Sequence, residues 1–404
     1  MNLATLSIGY LRARWLSTLL NIALLALGVA TIVVLLLATA QLEARMQRDA
    51  KGIDLVVGAK GSPMQIILSA IYHLDVPTGN ISYKGAQELA RHRMVRSVIP
   101  LALGDSYRGF RVVGSMPAYL DLYEAKLAAG RRWEKPLEAV IGADVAARTG
   151  LTVGASFAGA HGIGDRVGDA HDSHPYKVVG VLARSGTVLD RLVITGYASV
   201  WVVHAEHHGI DHVEDIEKSL HDDQKEFTAL LVQYASPLAA AMLPRYVNSN
   251  SDMQAASPAY ETARLFSIVG VGVDVLRAFA LVLILGAGLS GFIALYNALQ
   301  ERRYDLAIMR TLGAGPGTLL RLMLFESALL AFAGTVAGLV LGHVMTELLG
   351  QALEAAQQVS VTGWAWEPAE WWLLLLAVGL GILAGIIPAW RAYRTDIAAT
   401  LARG

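Results

Sequence analysis

Histidine is the residue type in this chain whose distribution most strongly suggests chemistry. Eight of the eleven histidines lie between positions 161 and 221, in the segments HGIGDRVGDAHDSH (161–174) and HAEHHGIDH (204–212) and at His221. Neutral imidazole suits zinc, and a chain with no cysteine would have to bind zinc through histidine and carboxylate groups. The candidate zinc ligands are His161, His171, His174, His204, His207, His208, Asp211 and His212.

The spacing of these residues favours binding over catalysis. If residues 204–212 form a helix, the candidate ligands in that segment fall within about 140° of one face. No spacing matches the catalytic zinc motif H-E-x-x-H, because His204, Glu206 and His207 form a shorter, inverted pattern. The alternative is that the histidines are solvated loop residues that form a polar or pH-sensitive surface.

A charged segment interrupts a part of the chain that is otherwise almost free of charge. The stretch ERRYDLAIMRTLGAG (301–315) contains two glycines, at positions 313 and 315, that are expected to end a helix. Its charges could fix the register of a partner protein, or they could reflect only the tendency of cytoplasmic loops to collect arginine. The candidate contact residues are Glu301, Arg302, Arg303, Asp305, Arg310 and Gly313.

Two further patterns lie in the apolar run that follows. Glu326 would be costly in lipid and is expected to face protein or water. We expect an ion pair with Arg321 or Arg303, and a role in transport is the alternative. Gly334, Gly338 and Gly342 repeat every four residues, a spacing that lets two helices approach closely. We interpret these glycines as packing positions, for which a dimer contact is one candidate.

Composition shows which elements must position these residues. Hydrophobic residues make up 54% of the chain and charged residues 17%, and the mean hydropathy is +0.45. The chain is therefore more hydrophobic and less charged than a typical soluble protein. Four apolar runs (15–42, 278–300, 317–346 and 371–390) reach the roughly 20 residues that cross a bilayer. The alternative for the first run is a signal peptide, but the run is longer than the about 7 to 15 apolar residues that such a peptide contains. The net charge of −1 argues against nucleic acid as a partner.

Residues 43–264, between the first two runs, have an ordinary soluble composition. Val- and Ile-rich segments at 54–59, 95–113, 138–143, 176–183 and 191–195 predict strands, and residues 84–93, 117–127, 142–149 and 197–208 predict helices. The predicted fold is a polytopic α-helical membrane protein. It has four transmembrane helices and one large mixed α/β extracytoplasmic domain between helices 1 and 2.

Arginine near the ends of the apolar runs predicts the orientation in the membrane. Arginines precede the first run, surround the 301–316 connection and follow the fourth run, whereas the 347–370 connection contains four glutamates and no Lys or Arg. Both termini are therefore expected in the cytoplasm. The second membrane helix is expected to begin near residue 261, with a break near residue 271 as the alternative. The predicted boundaries are a cytoplasmic interfacial helix (1–14), TM1 (15–42), the extracytoplasmic domain (43–264), a stalk with TM2 (265–300), a cytoplasmic helix (301–316), TM3 (317–346), a short extracytoplasmic loop (347–370), TM4 (371–390) and a cytoplasmic tail (391–404).

Several stretches resemble the FtsX/MacB/LolC family of ABC transporter permeases, also called type VII. The strongest is NALQERRYDLAIMRTLGAGPGTLLRLMLFESALLAFAGTVAGLVLG (297–342). PLEAVIGADVAARTGLTVGASF (136–157) and YKVVGVLARSGTVLDRLVIT (176–195) resemble the outer domain of the family, and IPAWRAYRTDIAATLARG (387–404) resembles its tail. The chain departs from the family at Asp305, at Gly315-Pro316-Gly317 and at Ile397.

The resemblance implies a permease of the bacterial inner membrane that forms a homodimer and recruits two copies of a separate ATPase, which binds ATP and magnesium. ATP-driven motion would then move the periplasmic domain and export or extract a periplasmic, lipid-anchored or metal-linked substrate. No G-x-x-x-x-G-K-[ST] loop occurs here, so neither enzyme activity nor a resident cofactor other than candidate zinc is expected. The alternative is an FtsX-like regulator of a periplasmic partner protein, or a metal-responsive sensor, without transport.

Overall fold

The computed structural model describes residues 3–161, 174–205, 221, 225–301, 303–357 and 361–393. The chain divides into two compact units. We call Met1–Leu42 with Val269–Gly404 the helical unit, and Glu43–Ile268 the α/β unit. The α-helices, in chain order, are α1 (Leu3–Ala13), α2 (Trp15–Asp49), α3 (Pro63–Ala70), α4 (Tyr83–Ala90), α5 (Ala118–Leu122), α6 (Ala143–Thr149), α7 (Tyr197–Ala205), α8 (Pro237–Asn250), α9 (Pro258–Glu301), α10 (Arg303–Thr311), α11 (Pro316–Gln357) and α12 (Ala369–Tyr393).

Four helices, α2, α9, α11 and α12, are long and apolar enough to cross a membrane. This confirms the prediction of four membrane helices with a mixed α/β domain between the first and the second. In the helical unit, Leu25, Val29, Val33 and Leu37 lie one turn apart on α2 and are buried. They pack in one apolar cluster with residues of the other three helices, among them Ile284, Leu339 and Ala377.

The strands belong to the α/β unit. They are β1 (Leu55–Ala59), β2 (Ile81–Ser82), β3 (Val95–Tyr107), β4 (Phe110–Ser115), β5 (Leu127–Gly130), β6 (Glu138–Ile141), β7 (Ser156–Phe157), β8 (Ala160–His161), β9 (Tyr176–Leu182), β10 (Leu192–Gly196), β11 (Glu226–Phe227), β12 (Ala229–Tyr234) and β13 (Met253–Ala256). The main sheet has the order β13-β1-β12-β3-β4-β10-β6-β9-β5, with β7 on β9 and β8 on β3. β10 pairs parallel with β4 and β6 with β9, while β12–β3 and β3–β4 are antiparallel.

The long strand β3 joins two halves of this sheet. Its residues 95–101 pair with β12, and its residues from 102 onward pair with β4. One half contains a buried core around Leu55, Leu230 and Trp201, and the other a core around Val112, Ile141 and Val193. Strands such as β1 and β12 are apolar at consecutive positions because both of their faces are covered.

Several boundaries differ from those predicted. α9 is continuous from Pro258 to Glu301, so the alternative of a break near residue 271 is wrong. Gly270 and Gly272 lie inside this helix, and a Cβ added at either would meet no other atom within 4 Å. α11 continues to Gln357, so the first part of the expected 347–370 loop is helical, and α2 continues past residue 42 to Asp49.

Sequence reasoning missed α3, α8, β5, β12 and β13, and also the two-residue strands β2, β7, β8 and β11. α8 contains Pro244, which normally argues against a helix interior. Packing against the sheet overrides this cost, because Ala239, Leu243 and Val247 on one face of α8 are buried. α3 had a readable signal, since Pro63 occupies the first helical turn after Ser62.

Candidate functional site

α10 is a short helix held firmly at its C-terminal end. Gly313 has a left-handed φ of 100°, and its N–H bonds to the carbonyl of Arg310 at 3.1 Å. The N–H of Ala314 reaches back to the carbonyl of Met309 at 3.0 Å. These two bonds form a Schellman motif, which ends the helix and turns the chain toward α11.

One face of α10 packs on the bundle and another is exposed. Met309 packs against an apolar cluster formed by Leu299, Leu319, Leu322, Met323 and Ala389, to which Leu6 and Tyr10 of α1 also contribute. Tyr304 and Ile308 of α10, and Leu312 directly after the helix, are exposed by 52%, 38% and 82% and follow one another every four residues. We call these three residues the α10 stripe, and the end of the bundle that carries α10 the connector end. Sequence reasoning singled out the charges here and missed the stripe, although its i, i+4, i+8 spacing was readable.

Polar contacts surround the apolar cluster at the connector end. The guanidinium of Arg14 forms an ion pair with the carboxylate of Glu301. Nη1 of Arg391 donates to the hydroxyl of Tyr296 at 2.7 Å, and its Cζ lies 4.9 Å from the centre of that ring. These contacts link the C-terminal part of α9 to Arg14, which directly precedes α2, and to the C-terminal part of α12.

The structure places the predicted contact residues around α10. Glu301 is the last residue of α9, Arg310 is half-buried in α10, and Gly313 ends that helix. Arg303 and Asp305 belong to α10, but their side chains lie outside the described part, as does all of Arg302.

Glu326 is buried in α11, with 3% of its surface exposed. One predicted partner, Arg321, instead directs its Nε to the carbonyl of Gly317 at 3.3 Å. The other, Arg303, has a side chain outside the described part. The ion pair of Glu326 therefore stays a prediction. Its neighbour Ser327 donates a hydrogen bond to the carbonyl of Gly381, which joins α11 to α12.

The three glycines of α11 face α2 of the same chain. A Cβ added at Gly338 would lie 2.6 Å from Cβ of Val29 and 2.8 Å from the carbonyl oxygen of Ala26. At Gly334 it would lie 2.8 Å from Leu25, and at Gly342 2.6 Å from Val33. The four-residue repeat on α11 thus matches the four-residue repeat on α2, so this packing is within one chain.

The opposite end of the bundle is held by hydrogen bonds. We call it the loop end, after residues 361–368 that precede α12. Gln41 of α2 donates to the carbonyl of Thr362 at 2.7 Å and accepts from its N–H at 2.9 Å. Glu347 of α11 accepts from Thr362 Oγ1 and from the N–H of Gly363, both at 2.9 Å. His343 contacts Gly363 and Glu370. Three membrane helices are thereby joined through one loop.

In the α/β unit, a buried polar cluster lies at the last residue of α2. Asp49 is 1% exposed, and its Oδ1 accepts from the N–H of Val188 at 2.7 Å. Its backbone carbonyl accepts from the Tyr123 hydroxyl at 2.8 Å. Tyr123 follows α5, and Val188 begins a 3₁₀ turn that leads into β10. Asp49 therefore joins α2 to two elements of the α/β unit.

Two buried arginines fix the adjacent turn at residues 72–75. Nη2 of Arg191 donates to the carbonyl of Tyr72 at 2.9 Å, and Nη2 of Arg111 donates to that of Asp75 at 2.8 Å. Burial lowers the pKa of each guanidinium to about 10. Burial, and then the charges of Arg111 and Arg191, lower the pKa of His73 well below its usual range, so this imidazole is neutral. Its Nε2 lies 3.2 Å from the Tyr119 hydroxyl.

A groove of 370 Å³ lies beside this cluster, within the α/β unit. The Tyr72 hydroxyl lies on its wall and is 2.8 Å from Oγ1 of Thr262 in α9. The other lining residues come from the end of α2 and the start of α9. They are Glu43, Met46, Gln47, Ala50, Ile53, Pro258, Ala259, Ala263 and Phe266.

The predicted zinc ligands are mostly outside the described residues. His171, His207, His208, Asp211 and His212 fall there entirely, and so do the side chains of His161, in β8, and His204, in α7. His174 is half-buried before β9. Within the ranges that the structure describes, no group of three His, Cys, Asp or Glu side chains could hold a metal ion. The zinc site stays a prediction.

Comparison with known proteins defines the class. Residues 277–397 match the family model of the FtsX-like permease C-terminal region, and residues 18–249 match that of the MacB-like periplasmic core domain. The fold and these matches define a chain that has four helices able to cross a membrane, a MacB-like periplasmic core domain and an FtsX-like permease C-terminal region. The second match covers more than half of the chain, which therefore belongs to the MacB-like periplasmic core domain family.

Curated relatives match over shorter stretches. An uncharacterized ABC transporter permease of Methanocaldococcus jannaschii is 30% identical over 30% of this chain and 31% of its own length. The permease YtrF of Bacillus subtilis is 27% identical over 26% and 27%. The lipoprotein-releasing system protein LolC of Xylella fastidiosa (strain Temecula1) is 28% identical over 25% and 28%. The chain thus spans less than a third of the length of these relatives.

Among solved structures, the periplasmic region of MacB from Actinobacillus actinomycetemcomitans is 13% identical, with a TM-score of 0.34. That match covers 54% of this chain and 95% of the other. The extracellular domain of YknZ from Gram-positive bacteria is 15% identical, with a TM-score of 0.30, over 51% and 99%. The assignment to the family rests on the family models.

Proposed function

We propose that this chain is the permease subunit of an ABC transporter in which ATP hydrolysis by a separate ATPase changes the conformation of the α/β unit. The observation that carries the proposal is the α10 stripe. It is an exposed apolar surface on a short helix between two membrane helices, and charged residues lie beside it.

The stripe has the chemistry of a docking surface. Burying one large apolar side chain contributes about 1.5–3 kcal/mol, so Tyr304, Ile308 and Leu312 together could anchor a partner. The neighbouring charges, Glu301 to Arg310, would set register and partner choice. Met309 packs α10 against the bundle, and the Schellman motif fixes its C-terminal end. Movement of a partner bound at the α10 stripe would therefore be transmitted to the bundle.

Within the α/β unit, Asp49 and Tyr72 supply a route for transmission. α2 is one helix from Trp15 to Asp49. Asp49 accepts hydrogen bonds from Val188, in the 3₁₀ turn, and from Tyr123, which follows α5. Tyr72 contacts the Met46 carbonyl of α2 and Thr262 of α9. Movement of either helix would therefore reach the turn at residues 72–75 and the 3₁₀ turn before β10.

We propose a homodimer of the permease with two ATPase copies. α9 supports this, because most of its large apolar residues between 268 and 293 are exposed, among them Ile268, Val275, Val282 and Leu289. Gly286, Gly288 and Gly291 on the same helix leave open space around them. Small residues allow a second helix to approach closely, so α9 is the proposed dimer surface.

We further propose that both termini and α10 are cytoplasmic and that the α/β unit is periplasmic. The arginine distribution supports this orientation. Lipoprotein release and macrolide export are named for two relatives, LolC and MacB. We propose export or extraction of a substrate of comparable apolar character, entering by the groove beside Tyr72.

The test is affinity purification of the full chain in mild detergent, with identification of bound proteins. An ABC ATPase should co-purify with the wild type and be lost from Ile308→Asp and Leu312→Asp. The matched control is Leu74→Asp, which places the same charge at an exposed apolar residue of the α/β unit. Absence of an ATPase from the wild type, or equal binding by Leu312→Asp, would refute the docking role of α10.

A further inference from the structure

A small cavity lies in the helical unit, between the four membrane helices. Its volume is about 40 Å³, against 370 Å³ for the groove beside Tyr72. It borders Gly288 and Gly291 of α9, where an added Cβ would meet no other atom within 4 Å. Asn21 of α2 and Ser327 of α11 belong to its wall, and every other described residue of the wall is Leu, Ile, Ala or Gly.

Asn21 is a buried polar residue in the apolar part of α2. It is 8% exposed, and within the part of the chain that the structure describes its Oδ1 has no hydrogen-bond partner. Thr31 and Thr39 of the same helix differ, because their hydroxyls donate to the carbonyls of Leu27 and Leu35 at 2.8 and 2.6 Å. A polar atom that is removed from water is unfavourable unless it is hydrogen-bonded. The amide of Asn21 therefore indicates a bound molecule in the cavity.

Ser327 restricts the chemistry of that molecule. Its hydroxyl donates to the carbonyl of Gly381, so its oxygen remains available as an acceptor. Oδ1 of Asn21 is also an acceptor. A molecule that binds both oxygens must therefore supply two hydrogens.

Water meets these requirements. One water needs about 10–15 Å³ of such space, so the cavity has room for it. A hard cation such as Ca²⁺ takes about 6–8 oxygen ligands, more than these two side chains supply. Water both donates and accepts, so it satisfies Asn21 whichever atom of the amide faces the cavity.

We propose that this cavity binds an ordered water molecule that donates one hydrogen bond to Asn21 and one to Ser327. Ser327 already joins α11 to α12 through Gly381, and the water adds α2 to this connection. The site lies within one chain and does not depend on the coupling function proposed above.

A double-mutant cycle tests the water bridge in the full-length protein in detergent. Ser327→Ala removes the bond to Gly381 in every background, but it breaks the water bridge only where Asn21 is present. The melting midpoint should therefore fall further when Ser327→Ala is made in the wild type than when it is made in Asn21→Leu. An equal fall in both backgrounds would overturn the proposal.

The matched control is Leu330→Ala, which truncates another residue of the cavity wall on α11 and removes no polar group. Its fall in melting midpoint should be the same in the wild type and in Asn21→Leu. If the effect of Leu330→Ala depended on Asn21 as strongly as that of Ser327→Ala, the coupling would come from packing, and the water bridge would be refuted.

A cryo-EM map of the full-length wild type provides a readout that needs no variant. We expect a single rounded density within about 3 Å of both Asn21 and Ser327. Three results would each overturn the proposal: an elongated density like an acyl chain, a side chain of a second copy at this place, or no density in a map that shows other ordered waters. No ATPase takes part in either measurement, so failure here would leave the proposed coupling function untouched.

Discussion

The two ends of the membrane bundle are held by different forces. At the connector end, Leu319, Leu322 and Met323 of α11 pack in an apolar cluster with Leu299 and Ala389, and polar contacts lie around it. At the loop end, Gln41, Glu347 and His343 hold residues 362 and 363 through directional hydrogen bonds. Apolar packing tolerates small shifts, whereas hydrogen bonds require one geometry.

This difference suits the two ends to different tasks. A non-directional cluster beneath α10 can stay packed while the helices shift by small amounts. A hydrogen-bonded loop fixes the register of α2, α11 and α12. The glycine contact between α11 and α2 runs along the bundle and stabilises both of its ends.

The largest expected effect is at the connector end. Met323→Ala removes a fully buried side chain and should destabilise the bundle by about 2–5 kcal/mol, because a cavity would remain in the cluster. Thermal unfolding in detergent measures the loss, which should not depend on pH. Met345→Ala, on the exposed part of the same helix, is the control and should change the midpoint little. Equal effects of the two substitutions would contradict the comparison.

The contact that supports both ends can be broken at Gly338. Gly338→Leu places atoms within 2.6 Å of Val29 and should cost about 1–3 kcal/mol by overpacking. The control is Gly379→Leu in α12, where an added Cβ meets no other atom within 4 Å. Detergent melts of both variants should separate them. If Gly379→Leu were the more destabilising, the α2–α11 contact would not be the main support.

His73, the buried neutral histidine of the α/β unit, makes the stability of that unit depend on pH. Because burial lowers the pKa of His73, the folded state binds fewer protons than the unfolded state. The resulting stability is present above pH 6.5 and is lost as the pH falls below it, by at most about 1.4 kcal/mol per pH unit. His73→Asn keeps a residue that accepts the positive φ of 52° and should flatten the acidic side of the profile. Melting curves from pH 5 to 8 test this, and an unchanged acid slope would argue against it.

A smaller effect is expected from Gln41 at the loop end. Gln41→Ala removes two hydrogen bonds to Thr362 and should cost about 0.5–1.5 kcal/mol. Gln41→Glu keeps the acceptor and loses the donor, so its cost should be intermediate. Proteolysis rates in the 361–368 loop would follow the same order. No change in either variant would mean that α2 is held here by packing alone.

The smallest effect is expected from Arg14→Ala. The ion pair with Glu301 is solvent-accessible, since the Glu301 side chain is 67% exposed, and such pairs contribute about 0–1 kcal/mol. The loss should shrink as salt rises, because exposed charges are screened. Melts at low and high salt measure it. A cost well above that range would show that polar contacts, not the apolar cluster, hold the connector end.

Much of the fold could be predicted from the sequence because it depends on local patterns. Uninterrupted apolar runs specify membrane helices, and the Val- and Ile-rich segments gave strands such as β1, β9 and β10. Elements whose signals conflicted with local rules were missed. α8 contains Pro244, and the helix after residue 346 lies in a stretch assigned to a loop because it is polar.

At the sites, the sequence indicated which residue types matter and less often what they contact. It singled out Glu301, Gly313 and the glycine repeat, but it suggested a dimer contact as one role for glycines that pack on α2 of the same chain. The apolar stripe of α10 was hidden beside its charges. Asp49, Arg111 and Arg191 gave no signal at all, because they lie far apart in the chain and share no motif.

The sequence by itself determined the four membrane helices, the domain between the first two and the family. These follow from the length of apolar runs and from local motifs. The tertiary structure alone decided that Gly338 meets Val29, that Asp49 bonds to Val188, and that His343 lies between Gly363 and Glu370. Each of these contacts joins separate elements of the fold, and its geometry depends on how packed helices and strands align side chains that no local pattern relates.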